Sequence, residues 1–217
     1  MRISIETITR GSEDGAKAVP AMIRRRLSPV GKLALGALAQ LEPRSDEPMV
    51  FASSWGDADK GVDLLRQAAR EGAVSPMGFS GSVHNAVGAI ASIWLKNKLA
   101  YRSVSARCET TEAGLLEAAM ELENHESVLF VRYESARPGY YASISLADMP
   151  EHSYAWACRI TREPACRAGL ALELTRNNAA GAKPALDTCG ELAFLLNGQA
   201  KTLQHGPWLW VKADTCI

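Results

Sequence analysis

Residues 48–56, PMVFASSWG, constrain the fold more than any other stretch: the run is β-rich and stays apolar from Met49 to Ala52 without alternating. A strand patterned this way is one buried on both faces of a sheet, so the chain has to cover it from two sides. A second strong strand reads from ESVLFVRYES, residues 126–135, and helical segments lie between the two. Strands alternating with helices specify an α/β layered fold.

The first ten residues, MRISIETITR, alternate as a half-buried strand does. After the polar loop GSEDGAKAVP, Pro20 suits the first turn of a helix through AMIRRRLSPVGKLALGALAQL, which Pro29 kinks or divides. PRSDEP breaks the chain before the apolar strand, and Asp57 is placed to cap a helix in DADKGVDLLRQAAREG. SPMGFSGSVHNAVGAIASIWL opens with turn residues and becomes helical, with Val83, Ala86, Val87, Ile90 and Trp94 recurring at three and four. Ala86, Gly88, Ala89 and Ala91 keep that helix slim, which suits a central position or a subunit contact. Beyond Pro138 the pattern weakens: YYASISLAD, SYAWACRIT and AGLALELTR read as strands, DTCGELAFLLNG as a helix, and GPWLWVKAD as a last strand with Trp208 and Trp210 on one face.

Charge excludes some partners. The chain of 217 residues carries 24 basic and 24 acidic side chains, so no global field draws it to nucleic acid or an anionic membrane. No apolar run is long enough to span a bilayer, and the N-terminus lacks a secretory signal. Five cysteines, at 108, 158, 166, 189 and 216, form an odd set without a CxxC pair and fit reduced thiols in a cytoplasm. The histidines, at 84, 125, 152 and 205, stand at no metal-ligand spacing, so no metal is expected.

SVSARCETTEAGLLEAA, residues 103–119, is the segment with chemical interest. Read as a strand entering a helix, it puts Val104, Ala106 and Cys108 on one face, and Thr110 and Thr111 offer hydroxyls to cap the helix. An unpaired cysteine is also, in its plainer role, a small buried apolar residue. The three arginines Arg24, Arg25 and Arg26 form a local basic patch, or a solvated helix face.

Residues 75–135 resemble the N-terminal half of β-ketoacyl synthases, condensing enzymes of the thiolase fold. SPMGFSGSVHNAVGAIASI is similar to their Ser-Pro, Phe, Ser-x-x-Asn, Ala-Gly, Ser-Ile segment, and RSVSARCETTEAGLLEAAMELENHESVLFVRYES to their strand, nucleophile turn, helix and following strand. The resemblance implies a thiolase-like, truncated ketosynthase-like layered αβα fold with a mixed sheet, one domain over 1–217. Residues 1–137 then form the ketosynthase-like core and 138–217 its divergent C-terminal strands and helix.

By the same resemblance the nucleophile position falls on Thr110, with Cys108 two residues early. Two strand residues are roughly 6–7 Å, beyond the about 3.5 Å that reacting atoms tolerate. His152 and His205, in PEHSYAW and LQHGPW, do not stand in the synthase histidine contexts. The expectation is therefore a catalytically silent partner, similar in its RRRLS, SVHNA and terminal Trp-x-Trp features to the short chain-length factors of bacterial aryl polyene biosynthesis, which pair with an active ketosynthase and an acyl carrier protein. No cofactor is implied. Met77, Phe79, Ser82, His84, Asn85, Gly88, Ala89, Val104 and Ala106 would line the tunnel or interface, and Arg24, Arg25 and Arg26 would meet the carrier protein. The alternatives are a small acyltransferase or condensing enzyme using Cys108, and a thiolase-like binding module that shapes no product.

Overall fold

In the computed structural model, which describes residues 1–141, 143, 149–162, 169–177 and 190–213, eight strands form one mixed sheet flanked by helices. In chain order the elements are β1 (Arg2–Arg10), α1 (Glu13–Ala16), α2 (Ala21–Arg24), α3 (Pro29–Ala39), β2 (Met49–Ala52), α4 (Ala58–Glu71), α5 (Pro76–Ser80), α6 (Ala86–Leu95), β3 (Tyr101–Val104), α7 (Thr110–Glu121), β4 (Ser127–Glu134), β5 (Tyr154–Thr161), β6 (Leu170–Arg176), α8 (Gly190–Leu196), β7 (Thr202–His205) and β8 (Trp208–Ala213). The strand order is β3-β2-β4-β5-β1-β6-β8-β7. β2 runs parallel to both β3 and β4, and every pairing from β4·β5 to β7·β8 is antiparallel.

Side chains along a strand alternate faces, and here each face has its own core. Met49 and Phe51 of β2, Leu129, Val131 and Tyr133 of β4, and Ala155 and Ala157 of β5 pack with α3 and α6. Their neighbours Val50, Ala52, Val128, Phe130, Trp156, Cys158 and Ile160 pack with α7 and α8 on the other side. The result is the αβα layering expected from the sequence.

Glycine sets how closely the two helix layers approach β2. A Cβ at Gly88 of α6 would come within 2.7 Å of Tyr101 and 3.1 Å of Phe51, and one at Gly114 of α7 within 2.7 Å of Phe130 and 2.8 Å of Ala52. Gly88 is thus buried against the sheet. The closeness expected of this slim helix is spent within the chain at that position.

Local chemistry fixes the helix starts. Pro29 divides the arginine-rich helix: Ser28 caps α3 by accepting from Gly31 N–H at 3.1 Å, and Pro29 takes the first turn, where no N–H is needed. Asp57 caps α4 through Lys60 N–H. Three readings need correction. α6 begins at Ala86, so Val83 lies in the preceding turn and is exposed. Gly139–Tyr141 form one 3-10 turn where a strand was expected, and the remainder of that segment mostly lies outside the described residues. The short strand β7 was not anticipated.

Candidate functional site

The corner between β3 and α7 differs from the sequence reading. β3 ends at Val104, and Cys108 sits in the middle of a one-turn 3-10 helix, Arg107–Glu109, half-buried. The cause is Arg107, whose φ of +53° is left-handed and ends the extended backbone. Cys108 is therefore not stranded on β3, and the separation argued from strand rise does not hold. Thr110 is not a cap either. It is the first residue of α7, fully buried; its Oγ1 donates to Arg107 O at 2.6 Å and accepts from Ala106 N–H at 3.0 Å, drawing the turn shut.

A second turn, at the C-terminal end of β2, is laced to this corner. Ser54 Oγ donates to Arg107 O at 2.8 Å and lies 2.9 Å from Thr110 Oγ1, while Ser105 Oγ donates to Ser54 O at 3.1 Å. Beneath it the buried Glu134 carboxylate accepts from Ser53 Oγ at 3.0 Å, Trp55 N–H at 3.2 Å, Arg132 Nη1 at 2.6 Å, and Ser54 N–H. Four donors on one carboxylate hold the SSWG turn rigidly against β4.

Below the first turn of α7 lies a buried charged cluster. Glu112 Oε1 faces His205 Nδ1 at 2.5 Å and accepts from Trp210 Nε1 at 2.9 Å. Thr111 Oγ1 donates to Glu191 Oε2 at 2.7 Å and accepts from Arg132 Nε at 2.9 Å. At the rim, Trp208 Nε1 and Arg176 Nε donate to Glu109 at 2.8 and 3.1 Å. Burial pushes the Glu191 carboxyl up, and Arg132 only partly offsets this. Burial acts against the His205 charge, yet Glu112 beside it holds the imidazole above its ordinary value. Glu109 is held below the usual carboxylate range by its bonds from Arg176 and Trp208.

Three histidines are committed elsewhere than Cys108, and His152 is exposed ahead of β5. His84 Nε2 faces Ser53 O at 2.7 Å, His125 stands beside Glu121, and His205 belongs to the cluster above. Cys108 is half-buried and Cys158 fully buried; Cys166, Cys189 and Cys216 lie outside the described residues.

The remaining predicted positions divide between several places. Met77 and Phe79 stand 77% and 60% exposed on α5, and Ile93, which was not among the predicted positions, is 59% exposed on α6. Phe79 and Ser82 line an apolar cavity of about 730 Å³ with Trp55, Leu64 and Leu65. Met77 and Ala89 line another, of about 550 Å³, whose rim carries Arg25, Arg26 and Lys60. Asn85 is exposed ahead of α6, whereas Val104 packs partly into the core beside α7 and Ala106 belongs to the corner. Arg24 bends back to the carbonyls of Ala16, Lys17 and Val19, so it locks the α1–α2 turn while Arg25 and Arg26 face solvent. Among the described residues no helix is long and apolar enough to cross a membrane.

A mixed sheet sandwiched by helices, with a tight strand-to-helix corner at α7, is a ketosynthase-type architecture, and the chain belongs to that family. The model of the β-ketoacyl synthase N-terminal domain matches residues 6–211. Among solved structures, the chain is similar to one from the ketosynthase ApeO in complex with its chain length factor ApeC from Xenorhabdus doucetiae. The TM-score is 0.77 at 23% identity, covering 97% of this chain and 98% of that one. A β-ketoacyl synthase from Burkholderia phymatum STM815 aligns with TM-score 0.61 at 10% identity, over 89% of this chain and 69% of that. The ishigamide ketosynthase/chain length factor gives 0.62 at 14%, over 89% and 73%. No curated protein sequence matches.

Proposed function

We propose that the chain is a catalytically silent chain-length factor that pairs with an active β-ketoacyl synthase and bounds the cavity in which a carrier-bound acyl or polyene chain grows. The observation that carries this reading is reciprocal coverage. This chain and its counterpart in the ApeO–ApeC complex span one another almost end to end, whereas the other two matched chains extend well beyond it. The aryl polyene class of substrate follows from the resemblance of the RRRLS, SVHNA and Trp-x-Trp segments.

Three surfaces support it. Among the described residues β3 stands at one edge of the sheet, and an edge strand is a template for pairing with a second chain. Met77, Phe79 and Ile93 expose apolar area of the kind that marks protein contacts. Arg25 and Arg26, with Lys60, make a cationic rim suited to an acidic acyl carrier protein. Work on carrier-bound thioesters, together with an odd set of five cysteines without a CxxC pair, fits a cytoplasmic protein.

Co-expression with a neighbouring ketosynthase and size-exclusion chromatography tests the reading. A stable one-to-one complex is expected, and Ile93→Asp should dissociate it without unfolding the chain. Acylation of the purified chain alone on a thiol, by an acyl-carrier thioester, would sink it.

One observation favours a second reading, that of an acyltransferase or condensing enzyme: Cys108 lies at the corner ahead of α7. Fast iodoacetamide labelling of Cys108 at neutral pH would favour the enzyme; slow labelling with intact complex formation favours the silent subunit.

A further inference from the structure

We propose that Glu112, Glu191 and His205 bind a first-row divalent metal ion, with zinc the best match to the donors, as a structural clasp between α7, α8 and the β7–β8 hairpin. One ligand atom from each residue lies within 4.8 Å of the other two. Glu112 comes from the first turn of α7, Glu191 from the first turn of α8 and His205 from the end of β7. One imidazole and two carboxylates are a donor set that zinc accepts.

Charge balance and an unfilled valence both point to a cation. Both carboxylates are buried, Glu112 completely. The nearby Arg132 guanidinium is taken up by Glu134 at 2.6 Å, so that pair contributes no net charge. Two carboxylates then face one imidazole. Glu112 Oε1 is used twice, by His205 and Trp210, whereas Glu112 Oε2 is buried with no hydrogen-bond partner. A buried carboxylate oxygen left empty is costly, and natural proteins rarely leave one without a reason. On the other side of the ring, His205 Nε2 stands 3.6 Å from Glu191 Oε1, too far for a hydrogen bond. A dication with a neutral imidazole and two carboxylates sums to zero and fills the vacant oxygen.

The surroundings are those of a braced metal site. Trp210 Nε1 orients Glu112, and Thr111 Oγ1 occupies Glu191 Oε2, leaving Oε1 open towards His205. Arg132 fixes Thr111 in turn, and the rings of Phe194 and Trp210 stand 6.3 Å apart beside the cluster. Such outer partners hold ligands in place and limit access of water. Ligands from three elements far apart in sequence explain why histidine spacing gave no hint of the site. The proposal is independent of the pairing with a ketosynthase.

The experiment uses the full chain without a histidine tag. Inductively coupled plasma mass spectrometry after gel filtration should find about one metal ion per chain, as expected of a structural site. Stripping with a chelator should lower the melting temperature, and added Zn²⁺ should restore it. Glu191→Gln and His205→Gln should lose the metal and the Zn²⁺ response, while His125→Gln keeps both. A wild-type chain that purifies metal-free and whose melting temperature is unmoved by Zn²⁺ or Mn²⁺ overturns the proposal, with two protons then balancing the cluster. Equal metal in wild type and both cluster variants overturns it as well, as adventitious surface binding. If the variants do not fold, the chelator response of the wild type decides.

Discussion

The two ends of the sheet are built differently. At the β3-β2-β4 end, parallel strands are covered on both faces, by α3 and α6 on one side and α7 on the other. At the β6-β8-β7 end, antiparallel strands bury only one face: Leu172, Leu174 and Trp210 look towards α7 and α8, while Glu173, Thr175 and Leu209 on the opposite face are exposed. The two-sided end joins apolar packing on both faces to the Glu134 and Glu47 networks. The one-sided end relies on a polar clasp, with Trp210 and His205 bonded to Glu112 of α7 and Trp208 to Glu109 in the turn just ahead of it. The lesson is that buried polar bonds fasten both ends, and at the end with half the apolar cover they carry more of the hold on the terminal hairpin.

The sharpest way to break that contrast is to add volume at each end. Gly114→Val drives a side chain into Phe130 and Ala52 from a backbone-fixed position. It should cost about 3 kcal/mol or more, at the upper limit of overpacking, or prevent folding. Gly198→Val, where a Cβ meets nothing within 4 Å, should shift stability by less than about 0.5 kcal/mol. Urea unfolding midpoints compare the two; equal costs would erase the distinction.

Trp210→Phe tests the clasp itself. The ring volume is largely kept while the bond from Nε1 to the buried Glu112 is lost. A loss of about 1.5–3 kcal/mol is expected, the range for hydrogen bonds to charged groups. A cost near zero would mean that apolar packing alone holds the hairpin.

The difference in legibility follows the same division. The apolar run Met49–Ala52 announced burial on two faces and ESVLFVRYES announced a strand, because period and composition are local properties. The pairing of Trp208 and Trp210 on one face of the last strand was also readable from period two. Cys108 was misplaced because a left-handed arginine, Arg107, breaks the strand, and arginine carries no turn signature of the kind glycine does. Thr110 looked like a cap for the same reason: hydroxyl residues before a helix are caps unless the turn ahead uses them. β7 escaped notice because TLQH offers a single apolar position, Leu203, and no flanking pattern. The Glu112–His205 contact spans 93 residues, and no local rule can see it.

A pH series probes a polar network at the other end of the molecule. Burial alone would raise the Glu47 carboxyl, but bonds from Arg159, the Arg44 N–H and Ser127 outweigh it and hold Glu47 below its usual 4.5. A carboxyl lowered on folding stabilises the native state above its unfolded value, and that stabilisation fades as pH falls through the folded one. Glu47→Gln should therefore cost about 1.5–3 kcal/mol at neutral pH, the worth of hydrogen bonds to a charged group. The gap from wild type should close as pH drops below 4.5. A gap independent of pH would assign the loss to packing.

The smallest effect is expected on the open face of the antiparallel end, and it is the most discriminating about what covers that face. Leu209 pairs with Thr175 across to β6 and with Gln204 across to β7, and its side chain is 36% exposed. Leu209→Thr keeps a residue that suits a strand and removes only partly exposed apolar area, so stability should change by less than about 0.5 kcal/mol. On the buried face one strand over, Leu174→Ala should cost about 2–5 kcal/mol, the range for truncating a fully packed leucine. If Leu209→Thr instead approaches the Leu174→Ala cost in the isolated chain, the face is packed against something within that chain, and the one-sided description fails. If the cost arises only in a complex with a ketosynthase, measured as a weaker dissociation constant at unchanged melting temperature, the open face is a subunit contact and the two ends of the sheet become equivalent once assembled.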